Sequence, residues 1–168
     1  MLRYFYLILA LFFLNGELFS QNYKHQATLL NFFSRYVDWP KSGDDKNFVI
    51  CILASKEIAN EMSSILNTRS IDGKKIIIER CDNYSQISDL AKLVYISSFK
   101  SYQFQKVKEK LKNHPVLLVT QKKGLAEDGS HFNIIFHKGQ MKYELNKASL
   151  EKSKLKVTSF LEKLAIII

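Results

Sequence analysis

The chain has 168 residues, is 46% hydrophobic and carries a formal net charge of +9. That length suits one domain with its own core, and that hydrophobic share excludes a small scaffold dependent on cross-links. The charge is lopsided: residues 21–99 hold ten basic and nine acidic side chains, residues 100–168 fourteen and six.

In chain order, Arg3 precedes the apolar run Tyr4 to Leu14, and Ser20 closes the stretch before Gln21. A basic start, an apolar stretch of about 7–15 residues and a small residue at the cut describe a secretory signal peptide. The run is short of the ~20 residues a spanning helix needs. Residues 1–20 are therefore expected to be a leader cleaved near Ser20, with residues 21–168 forming one domain in the periplasm. Export removes nucleic acid as a partner of the basic half and leaves an anionic envelope component, an acidic protein surface or plain solvation. Lys106, Lys108, Lys110 and Lys112 fall on several faces of one helix, the pattern of a solvated element. Cys51 and Cys81 enter an oxidising compartment, where an even count permits a disulfide without establishing it.

Apolar residues at helical spacing predict a helix from Asn22 to Asp38, ended by Trp39-Pro40 because the residue before proline leaves the helical region. A polar linker, Lys41 to Asn47, follows. Phe48 to Leu53 (FVICIL) is a strand covered on both faces, and Ser55 to Leu66 a helix capped by Ser55. The alternation repeats: a turn at Asp72-Gly73, a strand Lys75 to Arg80, a short helix Ser85 to Leu90, a strand Leu93 to Ile96, a helix Ser101 to Lys112 and a strand Val116 to Thr120. This βαβ order predicts an α/β fold, a Rossmann-like three-layer sandwich with a mostly parallel sheet. His131 to His137 and Gln140 to Asn146 alternate with period two and predict a C-terminal antiparallel hairpin. A Lys138-Gly139 turn sets Phe136 opposite Met141, Ile134 opposite Tyr143 and Phe132 opposite Leu145. Helices are expected at Ala148 to Lys154 and Thr158 to Leu164.

The glycines are too dispersed for a nucleotide-cofactor loop, and hydrolase-elbow, redox-pair and zincin motifs are absent from the sequence; no cofactor is implied. The best constellation is the hairpin's polar face, His131, Asn133, His137, Glu144 and Asn146. It reads as a hydrogen-bonding surface for a ligand or as an internally paired ladder. Metal binding by His131, His137 and Glu144 is disfavoured, because same-face positions six residues apart are too far for two ligands without bending. Trp39 is a core anchor or part of a partner surface, and Arg35, one turn before it, could pair with Asp38 or meet an anionic group.

Four stretches in this order resemble the YfiR family of bacterial periplasmic proteins: HQATLLNFFSRYVDWP (25–40), FVICIL (48–53), HPVLLVTQKKGLAEDGSHFNIIFHKGQMKYELN (114–146) and LKVTSFLEKLA (155–165). The resemblance spans nearly the whole exported chain. It implies a Rossmann-like sandwich that tends to form homodimers and a non-catalytic role, binding the sensor part of an inner-membrane diguanylate cyclase and so controlling cyclic-di-GMP signalling; a sensor kinase is the variant partner. The family pattern falls on Trp39, Pro40, Asn133, Glu144 and Asn146. Cys51 lies where the family often has a cysteine, but Ala91 and Lys92 occupy the usual place of its partner, and Cys81 sits earlier. Two other readings stay open, a periplasmic hydrolase using Glu144 with His131 or His137, and a structural protein of the cell envelope.

Intact-mass measurement of material from the periplasm is expected to show a chain beginning near Gln21. Retention of Met1 to Ser20 would refute the leader.

Overall fold

The computed structural model describes residues 22–40 and 46–168. The expected leader and positions 41–45 of the linker lie outside the described residues.

The FVICIL run forms the middle of the sheet. In β2 (Asn47–Leu53) every residue after Asn47 is buried. It is flanked in parallel by β4 (Lys74–Cys81) on one side and β5 (Ala91–Ile96) on the other. Such a strand must be apolar toward both faces. Next to β5 comes β6 (Leu117–Thr120) and then β7 (Phe132–His137), both parallel to their neighbours. The direction then reverses in β8 (Gln140–Leu145), antiparallel to β7. The edges are β10 (Ile166–Ile167), parallel to β8, and β3 (Ser70–Ile71), antiparallel to β4. Strand order is β10-β8-β7-β6-β5-β2-β4-β3.

One face is covered by α1 (residues 22–36) and α2 (Lys56–Leu66), which bury Leu30, Phe33, Met62 and Leu66 in one core with Ile50, Ile52, Leu93 and Val119. The other is covered by α3 (Phe104–Lys110), whose Phe104 and Val107 share a second core with Cys51, Val94 and Leu118. Two cores divided by one sheet make a three-layer α/β sandwich. Its chain starts in the middle and winds outward both ways, the Rossmann-like class that the alternation predicts.

Local differences have local causes. The first helix stops at residue 36 because Val37 and Asp38 are drawn into β1 (Val37–Asp38), which pairs antiparallel with β9 (Lys156–Val157). The helix expected at 85–90 is a single 3-10 turn, Tyr84–Gln86, capped by the Asn83 side chain. A 3-10 stretch, Ser98–Gln103, leads into α3 in place of one continuous helix from 101 to 112. Late in the chain α4 (Lys147–Lys152) and α5 (Ser159–Leu164) take the expected positions. The two-residue strands β1, β3, β9 and β10 are too short for any periodic signal.

The hairpin has the expected register: Phe132 lies opposite Leu145, Ile134 opposite Tyr143 and Phe136 opposite Met141. Its turn has φ 51° at Lys138 and 75° at Gly139, the two positive values of a type I′ turn. Glycine takes the second without steric cost. Phe33 of α1 stacks on Phe132 (4.2 Å, 8°) and meets the Tyr143 edge at 4.9 Å. Tyr143 Oη donates to Leu161 O at 2.8 Å, so three aromatic rings join the first helix, the hairpin and α5.

Phe33 is fully buried. Phe33→Ala is expected to cost about 3–5 kcal/mol, read as a lower urea midpoint with an unchanged slope.

Candidate functional site

The polar face of the hairpin is covered by the loop of residues 121–130. Asn133 is fully buried. Its Oδ1 accepts from Thr120 Oγ1 (2.8 Å) and from the Lys122 amide (3.1 Å), and its Nδ2 donates to Glu144 Oε2 (2.7 Å). Thr120 Oγ1 also sits 2.9 Å from Ser130 Oγ, which donates to Phe132 O at 2.7 Å. Further along, Asn146 caps α4 by accepting from the Ser149 amide (2.8 Å) and donates from Nδ2 to Ala126 O (2.8 Å). Ser149 Oγ donates to Gly129 O at 2.6 Å. These bonds lay the loop against β6, β7 and β8, and Ala126 is buried beneath them. Of the two readings of this face, the paired ladder describes Asn133 and Asn146.

Glu144 differs. One carboxylate oxygen is held by Asn133, yet the residue is 9% exposed and lines a cleft of about 440 Å³ with Gln121, Lys122, Lys123, His137 and Ile166. The cleft exists because β6 stops at Thr120, opposite Asn133, while β7 runs on to His137. His137 shares this cleft with Glu144. His131 is committed elsewhere: Nδ1 accepts from the Leu118 amide (2.9 Å) and Nε2 faces Ser153 Oγ (2.8 Å). Since Nδ1 accepts, the ring proton belongs on Nε2 and is donated to Ser153. A Glu144–His131 acid–base pair is not assembled. Among the described residues no group of three or more His, Cys, Asp and Glu is placed to hold a metal.

Arg35 and Trp39 line a different cleft, at the amino ends of the parallel strands, with Asn47, Phe48 and Lys74. Trp39 Nε1 donates to Ser34 O (3.2 Å), and the indole meets Phe48 edge-on at 5.3 Å. The tryptophan thus anchors the chain after α1 while staying partly exposed. Arg35 is exposed, and it forms no ion pair with Asp38. The structure therefore places Arg35 and Trp39 in a cleft that shares no lining residue with that of Glu144.

Cys51 and Cys81 are both buried, free thiols. They lie on paired strands, Cys51 opposite Glu79 and Cys81 opposite Leu53. The bond held open from the sequence is not formed. Contact with Cys81, together with burial, raises the Cys51 thiol above its ordinary value.

Thr120, Ser130 and the Lys122 amide complete the network and escaped sequence reasoning. Only Thr120 left a signal, as a polar residue ending a fully apolar run. Comparison with known proteins gives a match to the family model described as YfiR/HmsC-like over residues 23–166. No curated protein matches the chain. Among solved structures, a chain described as the ABC domain in complex with L-Trp from Streptococcus pneumonia is similar in fold. It has a TM-score of 0.55 and 10% identity, covering 73% of this chain and 55% of that one. The chain thus spans little more than half of that structure, and the likeness concerns architecture alone.

His131 gives the site a pH dependence. Burial pulls its pKa down to about 4, whereas the unfolded chain protonates near 6.5. Its contribution to stability is therefore intact above pH ~6.5, declines as pH falls and is lost once pH passes below about 4, a total of about 3 kcal/mol. Urea titrations at stepped pH are expected to show that loss, reduced by about one proton's worth in His131→Asn.

Proposed function

Because the chain belongs to the YfiR/HmsC-like family, we propose that it is a non-catalytic periplasmic regulator that binds the periplasmic part of an inner-membrane signalling protein. A diguanylate cyclase is the first partner and a sensor kinase the second. The observation that carries this reading is the extent of the family match: residues 23–166 take in both core faces, the hairpin and the closing helix. Regulators of cyclic-di-GMP signalling are the family's theme. Membership supports export to the periplasm, and in this reading the chain acts as a homodimer.

The surface proposed to meet the partner is the Glu144 cleft. A carboxylate whose inner oxygen is already fixed by Asn133 presents its remaining lone pairs in one direction, so a partner donor gains a preorganised acceptor. Lys122, Lys123 and His137 form a basic rim around it, which selects for partners carrying acidic groups beside that donor. Trp39 and Arg35 offer a second contact at the opposite end of the sheet.

Glu144→Gln tests this. The amide keeps an acceptor for Asn133 Nδ2 and removes only the charge. The melting temperature is expected to stay within a few degrees of wild type, while intracellular cyclic-di-GMP or kinase output shifts toward that of the gene deletion. Unfolding of this isosteric variant would make Glu144 an internal strut and end its role as a contact. An output that is unchanged on deleting the gene would end the regulatory reading itself.

A further inference from the structure

Two aromatic side chains have no place in either core. Phe99 and Tyr102 are 73% and 75% exposed, the most exposed large apolar side chains among the described residues. Both belong to the 3-10 stretch Ser98–Gln103. Three residues make one turn of such a stretch, so side chains three apart stand one above the other. The stretch itself is fixed: Gln103, 5% exposed, donates to Asp82 O (3.1 Å) and accepts from the Tyr84 amide (2.8 Å), and the next residue, Phe104, is 2% exposed. A pinned turn therefore projects two rings into solvent.

Basic groups lie on the turn and in the helix that follows it, and Lys106 lines a cleft with Tyr102. Lys100 Nζ donates to Asp82 O (3.0 Å), Lys110 Nζ to Ile87 O (2.7 Å), and Lys106 Nζ lies 5.4 Å from the centre of the Tyr84 ring. Their partners are carbonyls and a ring, so the three charges are not cancelled, and the nearby Asp82 carboxylate is paired with Arg80. Over residues 98–112 there are five lysines and one acid, Glu109. The basic excess of the C-terminal half is thus partly concentrated beside the exposed rings.

We propose that this turn docks the protein on an anionic membrane surface, with Phe99 and Tyr102 entering the headgroup layer and Lys100, Lys106 and Lys110 facing lipid phosphates. Rings beside cationic side chains are the composition of interfacial membrane segments. Two side chains on a protruding turn offer far less than the ~800 Å² per partner that a stable protein interface buries, whereas interfacial docking needs only a few such groups and charge attraction. The turn follows β5 at the carboxyl end of the parallel strands, the end where the Glu144 cleft opens beyond β6. Docking brings that cleft toward the same surface. The inference stands on this patch and does not depend on the identity of the partner.

Flotation of the periplasmic protein with phosphatidylcholine vesicles, with and without phosphatidylglycerol, tests it. Binding is expected only with phosphatidylglycerol and is expected to be lost in salt as the Debye length shortens from about 10 to about 3 Å. Phe99→Ser/Tyr102→Ser and Lys100→Gln/Lys106→Gln/Lys110→Gln should each weaken partition at least about tenfold. Lys75→Gln/Lys142→Gln/Lys163→Gln, with the same loss of charge elsewhere, should leave most of it. Absence of binding to either vesicle, full binding by the aromatic variant, or equal losses in the two lysine variants would overturn the proposal. Should the first lysine variant fail to fold, the aromatic variant, altered only at exposed positions, decides.

Discussion

The side-chain amide of Asn133 holds the end of β6, the start of the 121–130 loop and strand β8 at one point. Its oxygen takes the Thr120 hydroxyl and the Lys122 amide, and its nitrogen gives to Glu144. Each buried polar group left without a partner costs about 1–3 kcal/mol, so the three neighbours are fixed together or not at all. The remaining features of this end follow from it. The loop lies flat, Asn146 and Ser149 can reach Ala126 O and Gly129 O, and Glu144 is turned so that only its outer edge meets the cleft. The electrostatic character of that cleft is set by an uncharged residue that never touches solvent.

What could be read in the sequence was what short periodicities encode. The FVICIL run announces a central strand because both of its faces are apolar, and the hairpin register follows from matching Phe132, Ile134 and Phe136 to Leu145, Tyr143 and Met141 around a Lys-Gly turn. Alternation also placed Asn133 and Glu144 on one side of the hairpin. It could not say whether that side meets water, because the covering loop is held by Ser130, Gly129 and Ala126 through bonds to Thr120, Ser149 and Asn146, pairs ten to twenty residues apart in the chain. For the same reason Arg35 and Trp39 could not be separated from Glu144 without coordinates. The orientation of Tyr102 was hidden by the expectation of an α-helix from 101 to 112, which also left Phe99 outside the element: the 3-10 stretch begins at Ser98 and turns its side chains by a different angle per residue.

Fold and family carry different information. The layered sheet is shared with a chain only 10% identical, and architectures of this kind host many unrelated activities. The family match reaches Trp39 and the particular strands that bear Asn133 and Glu144. In doubly wound sheets the loops after the carboxyl ends of the strands are the variable, ligand-facing part. Here that end carries a basic-rimmed acidic cleft and a pinned aromatic turn, while the amino end carries the Trp39 anchor.

The outermost strand adds a colloidal constraint. β10 leaves Ile166 and Ile167 40% and 49% exposed at the margin of the sheet, and an apolar edge is a template for pairing with another chain. Nothing in the strand itself bears a charge to prevent this. The net +9 of the whole chain supplies the repulsion instead, and this protection acts over a distance set by ionic strength. Solubility in dilute buffer and association in concentrated salt are thus two outcomes of one balance between a short apolar margin and a long-range field.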